Sequence, residues 1–362
     1  MRGNLKRYRI AVIEGDGIGR EVVPEGIRVL EAAARRFDFS FSWQHFDWSC
    51  ETYLKTGRMM PEDGLEQIRP FDAIYLGAIG YPGVPDHVSL WGLLIPIRRG
   101  FNQYVNLRPV RLLQGITSPL RGRKPGDIDF VIVRENSEGE YSAVGGRVNR
   151  NTDSDMAIQE VIFTRRACDR IITYAFELAR TRRKHVTSAT KSNGIVYSMP
   201  FWDERFTAIS KQYPDVKADQ FHIDILTAHF VAHPDWFDVV VGSNLFGDIL
   251  SDLGAAVVGS MGLAPSANLN PEREYPSMFE PVHGSAPDIA GKTIANPIAQ
   301  IWSGAMMLEH LGEQQAARAV ESSIFNVLAN GSVRTRDIGG SAGTQGMGEA
   351  IAAEVSAALI AR

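Results

Sequence analysis

The chain has 362 residues, 44% of them hydrophobic, which is enough apolar material to bury the cores of two domains. Its formal net charge of -4 comes from 38 basic and 42 acidic residues, so no charge excess predicts binding to nucleic acid or to an anionic membrane. Two cysteines are too few for a disulfide framework, and no apolar run reaches the roughly 18 residues of a membrane span.

The amino-terminal stretch YRIAVIEGDGIG predicts a buried strand over 10–13, then a glycine turn and a helix. Glu14 and Asp16 precede any long apolar run, so we expect no export signal and a cytoplasmic protein. Position 20 is Arg, where the Gly-x-Gly-x-x-Gly fingerprint requires a third glycine. The fingerprint is therefore incomplete and gives only weak support for a dinucleotide-binding fold. These glycines either let the backbone approach a ligand or simply join strand to helix.

Further along the chain, alternating strands and helices predict an α/β fold with a mainly parallel sheet. The predicted strands cover 71–80, 129–136, 184–193 and 237–244, with helical stretches such as 163–180 between them. Segment 138–164 predicts a hairpin outside the main sheet, which is either a dimer arm or a surface loop. The carboxyl-terminal third, rich in Ala, Gly and Ser, predicts well-packed helices.

Two aspartates in NLFGDILSDLG raise the question of a metal. Asp248 and Asp252 are four positions apart, which places both on one face of a helix, where like charges repel by about a few tenths of a kcal/mol. A divalent cation would relieve that repulsion, and a helix cap with a surface salt bridge is the alternative. Asp224 stands between two isoleucines, which predicts a buried carboxylate and a third oxygen ligand for Mg²⁺ or Mn²⁺.

Several basic and proton-transferring side chains are candidates for a site, and Arg134 lies at the end of a predicted strand, where open α/β sheets bind ligands. Arg98, Arg108 and Arg134 are candidates for binding carboxylates, although each alone would more often be solvated. Tyr141 and Lys191 are the pair best suited to moving a proton, since a desolvated lysine beside a phenol can act near neutral pH.

Two further stretches have competing interpretations. His229 and His233 have zinc-ligand spacing, but Phe230 and Pro234 argue against a metalloprotease helix and favour structural histidines. The glycine- and proline-containing loop 283–297 could offer backbone N–H groups and an aspartate to a nucleotide, although its composition alone indicates only a loop.

Five motifs resemble, in order and type, those of the metal-dependent β-decarboxylating dehydrogenases, the family of isocitrate and isopropylmalate dehydrogenases. They are NLRP, VRENSEGEY, TKSN, NLFGDILSDL and HGSAPDIAGKTIANP, and the similarity spans nearly the whole chain. Within the family, 86–112 and 278–309 are most similar to the members that oxidise tartrate and D-malate. The resemblance therefore implies NAD-dependent and metal-dependent oxidation, with decarboxylation, of a small 2-hydroxy diacid.

The resemblance also implies a fold and an assembly. The fold would be an isopropylmalate dehydrogenase-like two-domain α/β fold with a central, mostly parallel, twisted sheet, distinct from a Rossmann fold. Segments 1–103 and 257–362 would form a large cofactor-binding domain. Segment 104–256 would form a small dimerisation and metal-binding domain, with an intersubunit clasp at about 138–164. The protein would be a homodimer whose active sites are shared between subunits.

Site residues follow from the same motifs. The implied metal ligands are Asp248, Asp252 and, from the neighbouring subunit, Asp224. The implied substrate-binding residues are Arg98, Arg108 and Arg134; Tyr141 would donate a proton and the neighbour's Lys191 would act as base. The implied cofactor-binding residues are His283, Gly284, Ser285, Ala286, Asp288 and Asn296, with Asp337 as a weaker addition. Asp288 favours NAD, since a carboxylate repels the 2′-phosphate of NADP.

One region departs from the isopropylmalate enzymes. Trp91, Leu94 and Ile95 occupy the positions that would contact the substituent on the third carbon of the substrate, and a bulky tryptophan fits a shorter substrate such as malate or tartrate. The alternatives that stay open are a 3-isopropylmalate or homoisocitrate dehydrogenase, a Mg²⁺-dependent hydrolase that uses no nicotinamide, and a non-catalytic nucleotide-binding protein. The sequence leaves open the choice between Mn²⁺ and Mg²⁺ and any requirement for K⁺.

Overall fold

The computed structural model describes residues 6–357, which divide into two compact units. The first unit comprises 6–103, 111–128 and 255–357, and the second comprises 104–110 and 129–254. The strands in chain order are β1 (Lys6–Gly15), β2 (Phe39–His45), β3 (Ala73–Ala78), β4 (Val105–Arg111), β5 (Asp129–Glu135), β6 (Gly145–Val148), β7 (Met156–Gln159), β8 (His185–Thr190), β9 (Lys217–His222), β10 (Val239–Gly242), β11 (Pro265–Leu269) and β12 (Ser277–Pro281).

Helices connect these strands. They are α1 (Gly19–Arg36), α2 (Cys50–Thr56), α3 (Gly64–Ile68), α4 (Asp86–Ser89), α5 (Ile95–Gly100), α6 (Arg165–Arg180), α7 (Ser198–Ser210), α8 (Ile223–Ala232), α9 (Asn244–Val257), α10 (Ile298–Leu311), α11 (Gln314–Asn330) and α12 (Thr344–Ala357). A π-helical turn, Leu90–Leu94, lies between α4 and α5. No helix of residues 6–357 is both long enough and apolar enough to cross a membrane.

In the first unit the strands follow the order β2-β1-β3-β12-β11. β1 is parallel to β2 and β3, β12 is parallel to β3, and β11 alone runs antiparallel. Helix α1 packs on α10 and α12 and turns Val22, Val23, Val29 and Leu30 into the core, because these residues recur at helical spacing.

The second unit has the strand order β4-β5-β10-β8-β9, in which β5, β10, β8 and β9 are parallel. Its central strands bury nearly every side chain, as strands covered on both faces do. Strands β6 and β7 form a separate antiparallel hairpin, which confirms the hairpin predicted within 138–164.

The predicted strands at 71–80, 129–136, 184–193 and 237–244 and the helix at 163–180 are confirmed as β3, β5, β8, β10 and α6. The prediction of a helical carboxyl-terminal third is wrong over 265–281, between α9 and α10, where β11 and β12 lie. Each of these strands is only five residues long and entirely buried, and β12 is held by pairing with β3. That pairing joins distant parts of the chain, so local composition does not reveal it.

Candidate functional site

Helix α9 carries Asp248 and Asp252 one turn apart, as predicted, and Asp248 is the centre of a polar cluster in the second unit. Its Oδ1 accepts hydrogen bonds from Nη1 of Arg108 at 3.2 Å and from Nη1 of Arg134 at 2.5 Å. The Tyr141 hydroxyl donates to its Oδ2 at 2.8 Å. The structure therefore brings four of the predicted site residues into direct contact around one carboxylate.

The two arginines of this cluster are fixed by residues that the sequence analysis missed. Arg134, at the end of β5, is 2% exposed and donates from Nε and Nη2 to Oδ1 of Asn244 at 3.1 and 2.7 Å. Arg108 Nη1 donates to the Ser251 hydroxyl at 2.5 Å. Both partners lie on α9, within or beside the aspartate motif, so a search of its polar residues at helical spacing could have found them.

A glycine allows the helix to approach the strand this closely. A Cβ added at Gly247 would lie 2.5 Å from Cβ of Arg134 and 3.0 Å from its Cα. No side chain fits in that space, because the atoms it would meet are the backbone Cα and the first side-chain carbons of buried Arg134.

The charges of the cluster shift the pKa of Asp252 in opposite directions. Desolvation by neighbouring protein atoms raises the pKa of the Asp252 carboxyl and the charge of Asp248 raises it further, while Arg108 and Arg134 oppose the shift. The Asp252 residue as a whole is solvent-exposed on α9, so a ligand can reach its carboxylate. Burial and the adjacent Asp248 also raise the pKa of the Tyr141 hydroxyl, so the phenol stays protonated at neutral pH.

Two carboxylates with hard oxygen donors on one helix face fit a Mg²⁺ or Mn²⁺ ion, which also requires further oxygen ligands. Within residues 6–357 no group of three or more His, Cys, Asp or Glu side chains is arranged to hold a metal. The remaining ligands would therefore have to come from substrate, water or another chain.

Asp224 and Lys191 form a separate ion pair in the second unit. Lys191 Nζ lies 2.9 Å from Asp224 Oδ1, and the side chains are 30% and 67% exposed. The hydrogen bond from Lys191 lowers the pKa of Asp224. The expected burial of Asp224 is wrong, because it lies in the first turn of α8 on the exposed side of the helix, and its neighbour Ile225 is also exposed.

Arg98 lies in the first unit, on α5, and is buried against an acid that the sequence analysis did not single out. Its Nη2 donates to Oε1 of Glu280 at 2.7 Å, and Asn268 donates to the same oxygen at 2.7 Å. Arg98 and Glu280 are 7% and 6% exposed. An acid within the short apolar strand MFEP was the available signal, since a buried carboxylate needs a partner.

The glycines of GDGIG allow the backbone to pack closely against other segments of the protein. Gly17 has a φ of +54°, and a Cβ there would lie 2.1 Å from the carbonyl oxygen of Ser285, while the Ile18 N–H donates to that oxygen at 2.9 Å. Gly15 packs equally closely, with its Cβ position 2.0 Å from the Ala78 carbonyl oxygen. The turn therefore joins β1 to α1 and supports loop 283–297.

Loop 283–297 presents polar groups with little internal pairing. His283 Nδ1 hydrogen-bonds the Gly284 carbonyl at 3.0 Å, its Nε2 is shielded from solvent without a partner, and burial lowers the pKa of the imidazole. Asn296 donates to Asp337 at 3.0 Å. Asp288 is exposed and has no hydrogen-bond partner within residues 6–357. A neutral imidazole and an available carboxylate are groups that fit a nucleoside.

His229 and His233 pack against aromatic rings. The His233 ring stacks on Trp236 with centroids 4.0 Å apart, and His229 lies 5.0 Å from Trp236 and 5.1 Å from Phe221. This packing accounts for their spacing without a metal.

Comparisons with known proteins agree with the motifs. Residues 9–351 match the model of the isocitrate/isopropylmalate dehydrogenase family. The chain is 60% identical to D-malate dehydrogenase [decarboxylating] of Escherichia coli strain K12, covering 96% of this chain and 98% of that protein. It is also 60% identical to tartrate dehydrogenase/decarboxylase of Pseudomonas putida, covering 95% and 96%.

Among solved structures, isocitrate dehydrogenase from Methylococcus capsulatus matches with a TM-score of 0.87 and 35% identity, covering 96% of this chain and 99% of that one. The family resemblance and the predicted fold class are thereby confirmed. The chain belongs to the isocitrate/isopropylmalate dehydrogenase family.

Proposed function

We propose that this protein is an NAD-dependent and divalent metal-dependent dehydrogenase that oxidises, and decarboxylates, a small 2-hydroxy diacid, tartrate or D-malate or both. The observation that carries the proposal is the cluster of Arg108, Arg134 and Tyr141 around Asp248 in a chain 60% identical to enzymes named for those two acids. Two arginines beside a carboxylate pair suit a substrate that offers two carboxylates and a hydroxyl.

In this proposal the side chains have distinct tasks. Arg108, Arg134 and Arg98 bind the substrate carboxylates; the first two donate to Asp248 and Arg98 to Glu280. Lys191 removes the proton of the 2-hydroxyl as hydride leaves C2. Tyr141 is protonated at neutral pH and donates its proton to the substrate carbon from which CO₂ has departed.

Different segments of the chain would hold the metal and the cofactor. Asp248 and Asp252 of one subunit, with Asp224 of the neighbour, would hold Mn²⁺ or Mg²⁺, which when bound withdraws electrons from the substrate oxygens. Loop 283–297 would hold NAD, with Asp288 accepting hydrogen bonds from the adenosine ribose and with His283, Gly284, Ser285, Ala286 and Asn296 around it; NAD when bound accepts the hydride. The first unit would thus serve the cofactor and the second the metal.

A homodimer with shared sites is part of the proposal. The hairpin β6–β7 exposes Val148, Met156 and Ile158, and the second unit also exposes Trp236 and Ile249. Such exposed apolar side chains are typical of a surface covered by a partner. Hairpin 138–164 would act as the intersubunit clasp, and the exposed pair Lys191 and Asp224 would enter the neighbour's site. Both cysteines are buried free thiols, which supports a reducing, cytoplasmic location.

The π-helical turn favours a short substrate. Trp91 is exposed at 37%, and the Arg99 guanidinium lies 5.1 Å from its ring centroid, whereas Ile95 is buried. An exposed cation–π contact contributes about 0.5 to 1 kcal/mol to keeping the bulky tryptophan in this position. We therefore favour hydrogen or hydroxyl, rather than an isopropyl group, at the third carbon.

A panel of acids tests the proposal. D-malate, L-tartrate, meso-tartrate and 3-isopropylmalate are incubated with NAD and Mn²⁺, and NADH and CO₂ are measured together. We expect NADH with malate or tartrate, little with 3-isopropylmalate, and none after chelation of the metal. Absence of NADH with every acid would refute the proposal, and faster turnover of 3-isopropylmalate would refute the substrate assignment.

A further inference from the structure

Glu140 is a second side chain, next to Tyr141, that reaches helix α9. Its Oε1 accepts a hydrogen bond from the Ser243 hydroxyl at 2.7 Å, and its Oε2 accepts one from the Leu245 N–H at 3.0 Å. Ser243 Oγ in turn accepts the Phe246 N–H at 3.4 Å. The first N–H groups of a helix have no partner within it, so Glu140 caps α9 from a different part of the chain.

The Glu140–Tyr141 dipeptide therefore attaches to α9 at two points. Glu140 binds the first turn, and the Tyr141 hydroxyl donates to Asp248 at 2.8 Å, about one turn further along. A carboxylate at the helix amino terminus is also favoured by the helix dipole. Because the two residues are adjacent, the Glu140 cap fixes the backbone from which the Tyr141 side chain reaches Asp248.

We propose that Glu140 is a positioning residue: by capping α9 it holds the Tyr141 phenol and the two aspartates of that helix in one fixed arrangement. The inference rests on the proposed function, in which Tyr141 delivers a proton to the substrate. Glu140 directs both of its carboxylate oxygens to the start of α9, so it acts on the reaction through α9 and Tyr141. Proton delivery depends on sub-ångström placement, so loosening this attachment should slow turnover more than it weakens substrate binding.

The chain offers a matched control in the same loop. Glu138 accepts the Thr164 N–H at 2.5 Å and the Thr164 hydroxyl at 3.0 Å, so its carboxylate supports the start of α6 instead of α9. Glu138→Ala and Glu140→Ala thus each remove one carboxylate from a helix start. Glu140→Gln keeps an oxygen for Leu245 and an N–H for Ser243, and so retains the geometry without the charge.

We expect Glu140→Ala to lower kcat about tenfold while KM for the diacid changes less than about twofold, and Glu140→Gln to recover to within about threefold of wild type. Glu138→Ala should keep its kcat at equal folded fraction. Amide hydrogen exchange provides a readout independent of activity: exchange over 244–248 should accelerate in Glu140→Ala and remain unchanged in Glu138→Ala.

Equal losses of kcat in the two alanine variants, or normal exchange in α9 of Glu140→Ala, would overturn the positioning role. If Glu140→Ala does not fold, Glu140→Asp replaces it under the same criteria, because a side chain shorter by one methylene cannot keep both the Ser243 and the Leu245 hydrogen bonds. A wild-type protein that forms no NADH would refute the proposed function, whereas the exchange comparison would still decide whether Glu140 holds α9.

Discussion

Gly247→Ala tests how closely helix α9 must approach strand β5. The added methyl carbon would lie 2.5 Å from Cβ, 2.6 Å from Cγ and 3.0 Å from Cα of Arg134. Carbon atoms pack at about 3.5 Å, so helix and strand must separate by about 1 Å. Overpacking of this kind costs about 1 to 3 kcal/mol, whereas replacing a helical glycine by alanine gains about 1 kcal/mol. We expect a net loss of up to about 2 kcal/mol in the free energy of unfolding.

The same displacement would move Asp248 relative to Arg134, and misplacement by about 1 Å can lower turnover on the order of 10²-fold. Gly346→Ala is the control, because Gly346 lies in α12 and an added Cβ would meet nothing within 4 Å. The free energy of unfolding of Gly346→Ala should rise by up to about 1 kcal/mol, and the variant should retain full activity. Urea unfolding followed by far-ultraviolet circular dichroism, with NADH formation assayed in parallel, measures both effects. If Gly247→Ala matched Gly346→Ala in stability and turnover, the close approach would not govern the site.

Two further predictions concern the assembly and acid stability. Asp248→Asn and Lys191→Met should each be nearly inactive. Refolding an equal mixture should restore about a quarter of wild-type NADH formation, because half of the dimers would contain one chain of each variant and one of their two sites would be intact. No recovery would contradict shared sites. Burial, with a smaller effect of Arg273, lowers the pKa of His310 from 6.5 to about 4. As the pH falls below 6.5, His310 therefore binds a proton in the unfolded chain before it does so in the folded protein. Between pH 7 and pH 5 this lowers the free energy of unfolding by about 2 kcal/mol. Urea unfolding should show this loss in the wild type and not in His310→Gln.

The candidate site shows where sequence reasoning succeeded. The four-residue spacing predicts that Asp248 and Asp252 share one helix face, because helical periodicity is a local property, and α9 confirms this. Arg134 is a candidate because it ends a predicted strand, where parallel sheets place ligands, and Tyr141 because its phenol can transfer a proton; both contact Asp248. The roles of Lys191 and Asp224 across a dimer stay predictions, because they concern a second chain.

The amino-acid sequence by itself determined the family, the alternation of strands and helices, and the helix face that carries the two aspartates, since motifs and periodicity are local. Only the tertiary structure decided that Glu280 pairs with Arg98, that Gly17 packs on Ser285, and that Glu140 caps α9. The residues of each pair come from different segments of the chain, and their contact depends on the order of the strands and on how closely the backbones approach. Local sequence patterns contain neither quantity.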